Sequence, residues 1–360
     1  MSSLKSFALI TLLFAISFPP LFAQKDTTET KNIQVIAIPT LGYNNSFGLQ
    51  LGAMGIMMFN LNKQDTISPA SSVVGLGFYT TNDSYFGVLA QRLYFNEDNW
   101  RVVTAFGQGN INFQFYGGNF PYIGDVFVDY TTVSSFFYLE GTRRIYDRLY
   151  AGASYMANRL NTTFYLEDIL GGNPDSLKTL SGMGIPISWD SKDDVYNAYN
   201  GLEINLKTVI NHKTFGSDLD FNTLTLEGNY YCEIIERKIL ATRATFYTGL
   251  GEVPFEGLRA VGRNDIRGYS NGKYRGDIVF TWQTEYRHRF QSRLGFVAFA
   301  GIAGAYNNLN EDADKWSGIL PGVGVGGRFM MLEERRLNMG IDVALGKDDW
   351  GLYFRLGEAF

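Results

Sequence analysis

Alternation with a period of two runs through this chain and narrows its fold before any motif is considered. Leu337, Met339, Ile341, Val343 and Leu345 are apolar, while Asn338, Gly340, Asp342 and Ala344 between them are polar or small. Leu202, Ile204 and Leu206 alternate with Glu203, Asn205 and Lys207, and Trp350, Leu352, Phe354 and Leu356 with Gly351, Tyr353, Arg355 and Gly357. Such a period places successive side chains on opposite faces of a β-strand. In a soluble sandwich the apolar face is the core. In a membrane barrel it meets lipid, and the polar face lines the lumen. Alternation alone does not separate the two.

Three further features do. Many of the alternating segments are 10 to 14 residues long, whereas globular strands peak near about 5–6 and a tilted membrane strand needs about 9–11. Aromatic residues cluster near segment ends, as in Phe113-Gln114-Phe115-Tyr116, Phe136-Phe137-Tyr138 and Tyr230-Tyr231, where interfacial girdles require them. The sequence stops at Phe360 on an alternating segment, which resembles the C-terminal assembly signal of bacterial outer-membrane barrels. The expectation is an all-β, 16-stranded antiparallel transmembrane β-barrel. Its strands are read at 33–43, 47–59, 71–81, 84–95, 100–115, 127–143, 149–163, 180–190, 201–212, 221–235, 239–251, 277–290, 294–306, 318–331, 336–346 and 350–360. An even count puts both barrel ends of the chain on the periplasmic side. Residues 164–179, 252–276 and 307–317 are then outer loops. The phase predicts that Glu203, Asn205, Lys207, Glu227, Arg243, Glu285, Arg287, Arg328, Asp342 and Arg355 face the lumen. Leu206, Leu226, Phe246, Phe280, Ile341, Leu352 and Phe354 should face lipid.

Residues 1–23 read as a signal peptide: Lys5 precedes an apolar run from Phe7 to Phe18, too short to span a bilayer. Residues 24–32 form a short polar periplasmic leader, and 33–360 the barrel. A single cysteine, Cys232, rules out an internal disulfide. A net charge of −5 argues against nucleic acid as a partner. Gly322-Val323-Gly324-Val325-Gly326-Gly327 fits G-x-G-x-x-G, but it lies within a strand, without the following helix a dinucleotide site needs. Small residues at a closely packed wall account for it. The two histidines, His212 and His288, have no metal-binding or triad spacing. Adjacent carboxylates at Asp193-Asp194 and Asp348-Asp349 are a poor calcium cage. No catalytic, metal or cofactor site is expected, and the chain does not read as an enzyme.

The longest gap between strands, 252–276, contains Val261-Gly262-Arg263-Asn264-Asp265-Ile266-Arg267-Gly268-Tyr269. Its Ile266-Arg267-Gly268-Tyr269 resembles the Arg-Gly-aromatic motif in the sixth outer loop of the BamA/TamA family, the bacterial surface antigen barrels. Glu285 stands where that family has an acidic partner for the loop arginine, and Trp189-Asp190-Ser191-Lys192-Asp193, with Gly201, resembles its turn after the eighth strand. The resemblance implies a bacterial outer-membrane protein. Its role would be to assist insertion, assembly or translocation of outer-membrane or surface proteins, among outer-membrane lipid and with periplasmic or outer-membrane protein partners. A porin-like transport channel and a structural surface-antigen barrel are the alternatives. Two departures from the family stand out. Phe299 occupies the place of a second acid, which leaves Glu285 to compensate Arg267. The leader is too short for a POTRA domain, so a barrel-only member is expected. Pro39 in the first strand cannot donate to a ladder, and Gly357 in the last removes packing, so these two mark the seam where the barrel closes as weak.

Overall fold

A computed structural model describes residues 33–120, 124–165, 175–262, 264–270, 272–307 and 316–360. The signal peptide, the leader and much of two expected outer loops lie outside the described residues. The first strands are β1 Ile33–Asn44, β2 Gly48–Phe59, β3 Ser71–Thr80 and β4 Tyr85–Phe95. Next come β5 Trp100–Phe120, β6 Gly124–Tyr146 and β7 Leu149–Phe164. Strand β8 is formed by Asp175–Gly184 and Pro186–Asp190, interrupted at Ile185. The rest are β9 Gly201–Asn211, β10 Phe221–Ile235, β11 Lys238–Gly251, β12 Ile278–Arg289, β13 Leu294–Tyr306, β14 Leu320–Leu332, β15 Leu337–Gly346 and β16 Asp349–Leu356. Each pairs antiparallel with its neighbours and β16 returns to β1, closing a barrel of sixteen strands. Tight hairpins such as those at Asp147, Arg237 and Asp348 use positive φ, which matches turn twist to strand twist.

The fifth and sixth strands run longer than expected, to Phe120 and over Gly124–Tyr146, and two others differ in ways their residues explain. The eighth begins at Asp175 rather than 180, and it breaks beside Pro186, which has no N–H to offer the ladder. The sixteenth was expected to run to Phe360 but stops at Leu356. Gly357 takes φ +89° and donates its N–H to the Asn338 carbonyl. Beyond it Glu358 bonds Arg328 and Asn338 inside the lumen. Phe360 packs beside Ala198, Tyr231 and Ala241, and its backbone oxygen accepts from Arg287. Phe360, expected from the sequence to end the strand as an assembly signal, therefore lies off the strand, drawn inward by lumenal charges.

The wall has the expected phase where it can be read. Leu206, Leu226, Phe246 and Phe280 follow one another across β9–β12 as register partners, and Leu226 and Phe246 are exposed. Glu285, Arg287, Arg328, Asp342 and Arg355 are buried inside. The closure is different from every other seam. β1 and β16 pair only at Tyr43 with Leu352 and Asn44 with Gly351. β1 with β2, by contrast, pairs along the whole length from Ile33–Phe59 to Asn44–Gly48. Away from those two positions the strands overlap instead. Ile36, Ile56, Met58 and Val74, from the inner faces of β1–β3, pack against Leu332, Leu337 and Leu356 of the last strands. Leu356 alternates with lumenal Arg355, so it is the outer side of β16 that lies behind β1. Side-chain burial replaces the missing ladder there.

Candidate functional site: the lumenal loop and the seam

The loop between β11 and β12 folds back into the barrel. Ile266 and Arg267 are fully buried and Tyr269 nearly so. Gly268 has φ +104°, and a Cβ there would stand 2.7 Å from the Leu345 carbonyl, so glycine is required by both backbone and space. Its N–H donates to the Tyr353 hydroxyl at 2.9 Å. The Tyr269 hydroxyl donates to the Pro321 carbonyl at 2.5 Å and accepts from the Lys347 N–H at 3.0 Å. Ser270 holds Asp349 through its N–H and hydroxyl.

Arg267 meets two carboxylates. One is Glu285 on β12, as the sequence suggested. The other is Asp342 on β15, at 2.6 Å. Asp342 was expected only to face the lumen, so the reading that Glu285 compensates the arginine without a second acid is corrected. The second acid comes from β15, three strands further round than Glu285. Phe299 is no vacancy either: the Arg267 guanidinium lies 3.3 Å from its ring centroid, a cation–π contact. Gln283 accepts from the Arg267 backbone N–H and from Nε. Arg328 and Arg355 share Asp342 at 2.5 and 2.8 Å, and Arg287 holds Glu285 at 2.6 Å. Buried charges at this density persist only because each has partners.

The glycine-rich segment of β14 is the seat of this loop. A Cβ at Gly322 would lie 2.6 Å from the Arg267 carbonyl oxygen, and one at Gly324 would lie 2.4 Å from the Phe299 ring. The close packing inferred from sequence is thus specifically contact with the motif. Further along the loop, Arg275 lies 5.6, 5.7 and 5.2 Å from the ring centroids of Phe113, Tyr130 and Phe255. Phe113 and Tyr130 belong to β5 and β6, across the barrel from β12–β15. The loop therefore spans the lumen, held by ion pairs on one wall and aromatic rings on the other.

A family model described as the Omp85 superfamily domain matches residues 41–360. The chain belongs to the Omp85 superfamily. Comparison with curated proteins gives no match. Among solved structures, BamA from Haemophilus ducreyi lacking POTRA domains 1-3 aligns with a TM-score of 0.55 at 11% identity, over 91% of this chain and 71% of that one. CdiB from Acinetobacter baumannii aligns with a TM-score of 0.58 at 13% identity, over 91% of this chain and 60% of that one. CdiB from Escherichia coli gives 0.58 and 13%, over 91% and 63%. This chain thus spans less than two thirds of either CdiB chain, and at these identities the likeness is one of fold. The family and fold together make this Omp85 barrel a bacterial outer-membrane protein.

In the Omp85 barrel the segment after β8, singled out by Trp189–Asp193, crosses the end of the lumen opposite the loop. Tyr196 donates to the Ala70 carbonyl at 3.0 Å, and Asp193 pairs with Arg336 at 2.7 Å. Bounded by this floor lies a polar cavity of about 440 Å³ lined by Arg92, Lys192, Glu203, Lys207, Glu227 and Arg243 among others. Pro39 stands in β1 opposite Ala53 of β2, on an exposed position, and Gly357 lies just past β16. Pro39 therefore lies within the stretch where β1 lacks a β16 partner, and Gly357 lies where the last strand leaves the wall. No cluster of His, Cys, Asp and Glu able to hold a metal occurs among the described residues.

Proposed function

We propose that this Omp85 barrel assists insertion, assembly or translocation of outer-membrane or surface proteins, with partner proteins supplying client recognition. One observation carries the reading: β1 and β16 pair at only two positions. An unpaired strand edge is a template for another strand, and here it borders the membrane. Loosening this seam breaks few backbone bonds, whereas opening any neighbouring one breaks a long ladder. In this reading, the loop arginine and its two acids brace β12–β15, on the β16 side of the seam, while the β1 side moves. A porin-like channel is less well supported, because the loop and the 191–200 segment both lie across the axial route.

Cysteines at Tyr43 and Leu352 test the proposal. These residues are register partners, within reach of a disulfide in an antiparallel pair. Native outer-membrane vesicles carrying the oxidised double variant should insert an unfolded model barrel more slowly than the same vesicles after reduction. Equal rates in the two states would sink the role of the seam.

A further inference from the structure

The lumen has two different halves. β1, β2 and β3 contain no Asp, Glu, Lys or Arg, and β4 and β5 contain one each, Arg92 and Arg101. The inward faces of β9–β15 instead carry Glu203, Lys207, Glu227, Arg243, Glu285 and Asp342. An outer-membrane barrel ordinarily has a polar interior. Here Leu76, Phe78, Phe86, Val88 and Phe136 are in phase with lumenal Arg92 and Glu140, and they are half-buried. Their rings lie against glycines rather than filling the lumen. A Cβ at Gly107 would meet the Phe136 ring at 2.2 Å, and one at Gly109 would meet the Phe86 ring at 2.8 Å. Phe78, Phe86 and Phe136 form a row with centroids 5.9 and 6.3 Å apart. The result is a smooth apolar wall facing the lumen, backed by a second apolar face toward the bilayer.

We infer that this wall is a binding site for the acyl chain of a phosphate-bearing membrane lipid that enters through the seam, with Arg92 holding the phosphate. Three observations favour that occupant. The wall is continuous with the seam: Ile36 and Ile56 of β1 and β2 extend it to the overlap, where apolar side chains and not a ladder separate lumen from bilayer. The axial routes are crossed by the loop and by the 191–200 segment, so the side entrance faces hydrocarbon. Arg92 is exposed toward the polar cavity below the wall, hydrogen-bonded to Tyr94 with Glu203 in its field, and makes no ion pair among the described residues, whereas Arg101 and Lys192 in the same cavity are paired with carboxylates. A guanidinium not already clamped by a carboxylate suits phosphate. A client strand would draw its affinity from backbone bonds at the β1 edge rather than from a wall of side chains.

The test uses the full chain with a photoreactive benzoylphenylalanine in place of Phe86, with Val88 as a second lumenal position should the first variant fail the folding check by heat-modifiable gel mobility. Leu89 faces the membrane and Asn205 the charged half of the lumen, and they serve as positive and negative controls. In phosphatidylglycerol vesicles, illumination should give lipid adducts at Phe86 comparable to those at Leu89, with none at Asn205. Replacing phosphatidylglycerol by diacylglycerol of the same chains, or Arg92 by Gln, should lower the Phe86 adduct about tenfold, as loss of one charge-assisted bond implies. Absence of adducts at both Phe86 and Val88 overturns the site. So does a polypeptide adduct in place of lipid in native outer membranes, which would assign the wall to clients. Equal yields with diacylglycerol and for Arg92→Gln overturn the phosphate contact.

Discussion

Arg267 is the residue on which the lumenal loop depends, and its environment sets the pattern of mutational loss. Its charge is fully buried against Glu285 and Asp342. Arg267→Ala leaves both acids short of a cation, and breaking such a buried pair costs about 3–5 kcal/mol. Glu285→Gln and Asp342→Asn should each lose less, because the other acid still holds the arginine. Combined with Arg267→Ala, either should add little, since shared partners couple. Urea unfolding of the singles and doubles measures this, and strictly additive losses would show that the three side chains do not act together. Gly322→Ala offers a separate reading of the same contact. Its Cβ would press on the Arg267 carbonyl oxygen, and overpacking of this kind costs about 1–3 kcal/mol. A wild-type unfolding midpoint would mean the loop does not sit on β14. The loop also has a pH-dependent anchor. Burial pushes the Asp265 carboxyl up, but Arg259 and Arg243 beside it prevail and hold it below its ordinary value of 3.8. A depressed carboxylate contributes stability above its unfolded value and loses it as pH falls through the folded value. Wild-type stability should therefore drop in acid below 3.8 more than that of Asp265→Asn. Parallel acid limbs for the two proteins would remove Asp265 as the cause.

At the scale of elements, the seam should be the most labile part of the wall. Amides on the β16-facing edge of β1 have no ladder partner from Ile33 to Gly42, and local opening governs their exchange. Hydrogen–deuterium exchange in peptides covering 33–42 should be faster than in 201–211, which pairs along its length with β10. Similar protection in both would show that the seam zips in solution. The overlap that replaces the ladder also explains why the last strand stops early. Once β16 passes behind β1, its continuing backbone keeps only β15 as a bonding neighbour. Gly357 supplies the left-handed turn, and Arg328 and Arg287 draw Glu358 and Phe360 inward.

For the whole molecule, the consequence of a loop tied to opposite walls is a barrel that does not conduct as a wide pore. Arg267 fixes one side and Arg275, among Phe113, Tyr130 and Phe255, the other. In planar bilayers the intact protein should show little steady conductance, and removal of residues 259–276 should produce large open steps. Wide-pore conductance from the intact protein would return the porin-like reading to first place. The split between an apolar and a charged half of the wall belongs to this scale too. It leaves β9–β15, on one side of the seam, cross-linked by ion pairs and β1–β3, on the other, held mainly by side-chain burial, so movement is concentrated on the β1 side.

What was legible in the residues themselves was periodic or local. Alternation, segment length and turn chemistry sufficed for an all-β membrane barrel and its phase, because those signals repeat along one strand and need no knowledge of its neighbours. The Ile266–Tyr269 motif and Glu285 were legible through a family resemblance. Asp342 as the second partner of Arg267 was not, since it lies 75 residues away and becomes a neighbour only when β12 to β15 lie side by side around the lumen. By sequence alone Phe299 is a missing acid, because only the folded barrel sets the Arg267 guanidinium over its ring. The tucked Phe360, the overlapping seam and the aromatic seat of Arg275 were likewise decided by closure. A strand's own sequence specifies which side chains share a face, but closing the sheet determines which faces meet across it. Here the last strands pass behind the first, a choice made by competing burial and lumenal charge that no single strand contains.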